Sequence, residues 1–186
     1  MCRMISVFIL SLTMSYSVFS QTILETVSQV NEVKVIKNIT IPHGWSASGN
    51  EIYGNVLAKE NSDSETTISF HLIEANMRYD SLESIIKFEL DSYREFASER
   101  FEVKYAKPLL VDNEKSIAVV KHVFGAADAA YQAIAYIPES KSVLALTLST
   151  DDHKIFSESL SQFEEIVKSY TVINERIQMV TKNTFY

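Results

Sequence analysis

The sequence predicts an α+β fold: a central antiparallel β-sheet of about six to seven strands flanked by two main helices. Three observations carry this. Ser116–Phe124, Ala130–Ile137 and Val143–Ser149 are β-rich runs separated by connections too short for a parallel crossover, which needs about a dozen residues, so they form hairpins. Two stretches, after residue 80 and after residue 150, space their apolar residues by three and four, the period of a half-buried helix. Residues 32–41 alternate apolar and polar side chains, the period of a strand with one covered face.

The chain opens with Met1-Cys2-Arg3 and continues into an uncharged apolar run, Met4 to Met14, the n-region and h-region of a secretory signal. Ser11, Thr13, Ser15, Ser17 and Ser20 dilute a run already shorter than the ~20 apolar residues of a membrane anchor. Val18-Phe19-Ser20 suits a signal peptidase, so residues 1–20 read as a cleavable signal peptide cut after Ser20, and the protein as periplasmic or secreted. Cys2 precedes the apolar run, where a lipoprotein would carry its cysteine after it. Cleavage removes Arg3 and the single cysteine, leaving 16 basic and 24 acidic side chains and a formal charge of −8. A chain this acidic lacks the basic face that phosphate backbones and anionic membranes require, and without cysteine its stability comes from burial.

Residues 21–31 read as a loose lead-in or a short helix before a single domain over 32–177, with 178–186 a frayed tail. In the first strand Val33, Val35, Ile39 and Ile41 share a side, ending at the Pro42-His43-Gly44 turn, after which Trp45 follows. Strands are expected at Glu51–Ala58 and Thr66–Glu74, the second placing Ile68, Phe70 and Leu72 on one face. Asp80 as N-cap with Glu83 completing a capping box opens a helix whose inner stripe is Leu82, Ile86, Leu90, Tyr93 and Ala97. Lys87, Glu89, Asp91 and Glu95 are expected to face solvent. Phe101–Tyr105 alternates, Pro108 interrupts, and Val111–Glu114 turns into the three hairpin strands. Ile117–Val120 and Val143–Leu146 are apolar on both faces, as in strands covered on both sides. A second helix starts near Asp151-Asp152 and turns Phe156, Leu160, Phe163, Val167 and Tyr170 inward.

Reactive motifs are absent from the sequence. His43, His71, His122 and His153 have no metal-pair spacing, and without cysteine a zinc site would need ligands brought together by the fold. Four glycines, at 44, 49, 54 and 125, cannot build a P-loop or dinucleotide fingerprint, and no serine sits in a Gly-x-Ser-x-Gly elbow, so no cofactor, metal or catalytic residue is assigned. Asn38-Ile39-Thr40 is a glycosylation sequon that bears on function only in a eukaryote. Trp45, Tyr53, Tyr79, Tyr105, Tyr131 and Tyr136 are amphipathic rings that interfaces favour. From these, His43, Trp45, Tyr53 and Tyr79 are expected to form a partner-binding surface.

Ile41-Pro42-His43-Gly44-Trp45, the helix from Ser81 to about Phe96, and Val143–Thr147 followed by Phe163–Tyr170 together resemble the opening, first helix and closing strand and helix of PsbP/Mog1-like domains. The resemblance spans roughly residues 38–173. It implies a sheet sandwiched by helices (an α-β-α sandwich) in proteins that mostly bind other proteins, among them photosystem accessory subunits, exported lipoproteins, chaperones and immunity proteins. No family-wide catalytic residue carries over. The sequence therefore points to a non-catalytic exported accessory protein with a protein partner in the cell envelope. An immunity protein, its acidic groups meeting a basic toxin cleft, is one specific form. The rivals are an envelope hydrolase with a site assembled from dispersed residues and a small-ligand carrier.

Overall fold

A computed structural model describes residues 22–30, 33–50, 54–74, 81–97, 99–139 and 142–176. Residues 1–20, Tyr53, Tyr79, Asp80 and the tail from 178 lie outside the described residues. Eleven strands and two helices occur among the described residues: β1 (Thr22–Val30), β2 (Val33–Ile41), β3 (Trp45–Asn50), β4 (Gly54–Lys59), β5 (Thr66–Glu74), α1 (Leu82–Glu95), β6 (Glu102–Tyr105), β7 (Leu109–Val111), β8 (Ser116–Phe124), β9 (Tyr131–Pro138), β10 (Ser142–Thr150), α2 (His153–Lys168) and β11 (Thr171–Arg176).

The expected antiparallel sheet is present and larger than expected, with eight strands in the order β3-β4-β5-β10-β9-β8-β6 and β7 on β8. A second sheet, β1-β2-β11, holds three. β10 is central, pairing over its length with β5 on one side and β9 on the other (Leu146↔Phe70 and Leu146↔Ala135). The two helices cover opposite faces, as strand alternation shows. On β9, Ala133, Ala135 and Ile137 join Leu146, Leu148 and Val120 beneath Phe156, Phe163, Ile166 and Val167 of α2. Ile134 and Tyr136 point the other way and join Val123, Val143 and Ala145 beneath Ile85 and Ile86 of α1. β9 is buried along nearly its whole length, as a strand covered on both faces must be.

Several expectations are corrected. Within the lead-in expected at 21–31, Thr22–Val30 form strand β1, which pairs with β2 from Thr22↔Ile41 to Val30↔Val33. Its apolar residues Ile23, Val27 and Val30 fall at helical spacing, which hides the strand in the sequence. The strand expected at Glu51–Ala58 is present as β4 in its described part, and it pairs with an unexpected strand, β3, which begins at Trp45 and escapes notice because an edge strand needs no apolar alternation. β11 follows α2 directly where no element was expected. α1 is capped one residue later than expected: Ser81 Oγ accepts from Ser84 N–H at 3.2 Å and Ser84 Oγ accepts from Ser81 N–H at 3.2 Å. α2 starts as expected, with the Asp152 carboxylate accepting from the backbone N–H groups of Lys154 and Ile155 at 2.7 and 3.0 Å. Ile117 is 54% exposed, so cover on the α1 side stops short of the start of β8.

Candidate functional site

The α1 face of the sheet changes character along its strands. Beneath Ile85 and Ile86 it is apolar; further along, the same alternation brings up Thr67, Ser69 and His71 on β5, Thr147 and Ser149 on β10, and Gln132 on β9. Register places these side by side, Thr147 opposite Ser69 and Ser149 opposite both Thr67 and Gln132. Glu89 and Tyr93 of α1, with Asp128 from the β8–β9 turn and Phe70, complete an open cleft of about 490 Å³. A hydroxyl-rich floor under a helix is unusual where burial normally selects apolar side chains.

Glu89 corrects the expectation that it faces solvent. It lies three residues after Ile86 and four before Tyr93, inside the helix's inner stripe, so the backbone turns it toward the sheet. That spacing was the signal for it. Burial pushes its carboxyl above the usual 4.5, with Tyr136 and His71 partly opposing the rise. Tyr136 is fully buried below it, and burial together with the Glu89 charge pushes its phenol upward. The two groups lie close enough to influence one another, yet neither Glu89 Oε2 nor the Tyr136 hydroxyl completes a hydrogen bond of good geometry with the protein. Gln132, only 2% exposed, leaves its Oε1 equally without a protein partner, while its Nε2 reaches Ser149 Oγ at a long 3.5 Å. Tyr93 is pushed up to about 12 by burial and by the charges of Glu89 and Asp128.

An unpartnered buried acid lowers stability, which gives a first prediction. A carboxyl whose folded value is raised contributes stability below its unfolded value of 4.5 and loses it as pH rises through the folded value. Glu89→Gln removes the ionisation and is expected to stabilise the protein at pH 8 by about 1–2 kcal/mol, with little effect at pH 4. Thermal unfolding at both pH values measures it; a loss of stability at pH 8 would contradict the burial argument.

Of the partner surface expected at His43, Trp45, Tyr53 and Tyr79, Tyr53 and Tyr79 lie outside the described residues. His43 is exposed, but Trp45 is 5% exposed and belongs to the core under α2. Gln162 of α2 accepts from the indole N–H at 3.0 Å and donates to the His43 carbonyl at 3.5 Å, drawing the ring inward. Of the other rings, Tyr136 is core, Tyr131 packs against Phe124, Phe156 and His153, and Tyr105, 84% exposed, lies beneath the Lys121 ammonium. His122 sits edge-on between Phe124 and Phe156, and burial lowers its pKa. Lys59 donates to Ser159 at 2.7 Å, and Ser159 is fully buried. Among the described residues no group of three or more His, Cys, Asp or Glu is placed to hold a metal, and no helix is long and apolar enough to cross a membrane.

No protein-family model matches the chain, and no curated protein matches it. Among solved structures the chain is similar to the solution structure of cyanobacterial PsbP (CyanoP) from Synechocystis sp. PCC 6803, with a TM-score of 0.48 and 9% identity over 78% of this chain and 95% of that one. Strand pairing and the two helices make the fold α+β.

Proposed function

We propose that this chain is a non-catalytic binding protein whose ligand, a small polar molecule, occupies the cleft between α1 and the sheet. One observation carries the reading: polar side chains from three adjacent strands and a helix converge on one cleft, and buried polar atoms there have no protein partner. Such groups cost stability and persist where a ligand can satisfy them. Binding is favoured over chemistry because, among the described residues, His71 makes no hydrogen bond to a cleft hydroxyl or to Glu89 that would activate a nucleophile. The signal-like first 20 residues and the anchors shared with PsbP/Mog1-like domains support reading it as an exported member of that family.

Chemical-shift mapping with a library of small polar compounds tests the site. Shifts are expected to concentrate at Ser69, Gln132, Thr147 and Ser149 and to vanish in Ser69→Trp, which fills the cleft while leaving the rest of the spectrum folded. Shifts scattered over the surface, unchanged in the variant, would overturn the assignment.

A protein partner remains a second reading, favoured by a specific observation: Leu110 and Ile117 face each other across β7 and β8, both more than half exposed, with exposed Tyr105 on neighbouring β6. Recovery of a stoichiometric envelope protein by the wild type, lost on Ile117→Asp, would support it.

A further inference from the structure

Resting on the cleft as the binding site, we infer that its ligand is an organic cation, an alkylammonium or guanidinium group that donates several N–H bonds to Glu89 and Gln132. Three buried side-chain oxygens here complete no hydrogen bond: Glu89 Oε2 and Gln132 Oε1, acceptors at the cleft, and the Tyr136 hydroxyl below, whose single proton can serve only one of them, so a donor is still missing. Formal negative charge comes from Glu89 and Asp128, and among the described residues no Lys or Arg lines the cleft to neutralise it. A carboxylate shielded from water attracts a cation more strongly than an exposed one and forms charge-assisted bonds with it. The ring of Tyr93 gives an alkyl stem or a cationic head an aromatic wall. The hydroxyls of Thr67, Ser69, Thr147 and Ser149 can take up further polar atoms. The chain's formal charge of −7 adds long-range attraction of the same sign.

An anionic ligand would meet Glu89 and Asp128 unfavourably. A neutral polyol would leave the charge of Glu89 uncompensated. Among the described residues, Tyr136 below, His71 from β5, Tyr93 one turn along and Asp128 are the titratable groups facing Glu89, and burial holds its carboxyl protonated to a higher pH than usual. Cation binding is therefore expected to tighten as pH rises.

The probes are agmatine and butylamine as cations, glycerol and glucose as neutral polyols, and acetate as anion. Each is titrated at pH 5 and pH 8 by calorimetry and by chemical-shift mapping. Cations are expected to shift Ser69, Gln132, Thr147 and Ser149, to bind more tightly at pH 8 than at pH 5, and to lose at least tenfold on Glu89→Gln at pH 8, a variant that should itself be more stable. Equal or tighter binding of glycerol or glucose at these residues, insensitive to Glu89→Gln, would overturn the cation assignment while leaving the cleft a binding site. No shift at the cleft from any probe would overturn both.

Discussion

Trp45→Ala is expected to destabilise the protein by about 3–5 kcal/mol, the range for removing a buried tryptophan side chain. The residue begins an edge strand, follows a polar turn, and yet buries its ring in the main core with Ile68, Leu57 and Phe163. The turn that delivers it is closed by Trp45 N–H donating to the Pro42 carbonyl at 3.3 Å, with Gly44 at φ +87° in the position that only glycine adopts without strain. From there the indole N–H reaches Gln162 of α2 at 3.0 Å. Truncation leaves a cavity and an unpaired amide; Trp45→Phe, keeping an aromatic ring and losing the hydrogen bond, is expected to cost less. Urea denaturation followed by far-UV circular dichroism measures both. As the chain's single tryptophan, Trp45 should also give the wild type a blue-shifted emission that moves to the red on unfolding. A loss below about 1 kcal/mol for the alanine variant would show that the ring is not a core element.

Glu139→Ala is expected to cost about 2–4 kcal/mol at pH 7, because this carboxylate joins three parts of the molecule. Lys37 of β2 donates to Oε2 at 2.8 Å, Ser142 to the same oxygen at 2.7 Å, and Tyr170, just beyond α2, to Oε1 at 2.5 Å. Removing the carboxylate leaves a buried phenol and a half-buried ammonium without partners. The cost stays below that of a fully buried pair because Lys37 keeps contact with water. Burial alone would raise the Glu139 pKa, but the three hydrogen bonds outweigh it and hold the group below its usual 4.5. Its contribution is therefore present above pH 4.5 and is lost as pH falls through the lower folded value. The gap between wild type and Glu139→Ala in urea unfolding should narrow from pH 7 to pH 2. A gap independent of pH would show that the ionised carboxylate is not what stabilises this junction.

These two residues mark where sequence reasoning succeeds and stops. The hairpins of β8, β9 and β10, the α2 start at Asp152 and the turn at Gly44 are legible because each follows from local rules: short connections, a capping carboxylate, a φ only glycine tolerates. β1 and β3 are not legible. β1 gains its partner from β2 rather than from its own apolar period, and β3 is a small-residue edge whose side chains carry no alternation. The direction of Trp45 depends on Gln162, 117 residues away in the chain.

The cleft lies between these cases. Glu89 occupies a stripe position visible in the sequence, but an acid on a helix ordinarily faces water, and only the helix's seat on the sheet turns it inward. The hydroxyls on β5 and β10 read one by one as ordinary polar residues; they become a floor once β10 pairs with β5 and sets Thr147 beside Ser69. By itself the sequence determined the α+β class, the antiparallel hairpins, the acidic charge and most helix and strand positions, because these depend on neighbours within a few residues. Tertiary structure alone decided that Trp45 is core and that Glu89, Gln132 and the strand hydroxyls share one cleft. Burial and convergence are properties of contacts between segments distant in the chain, which no local period records.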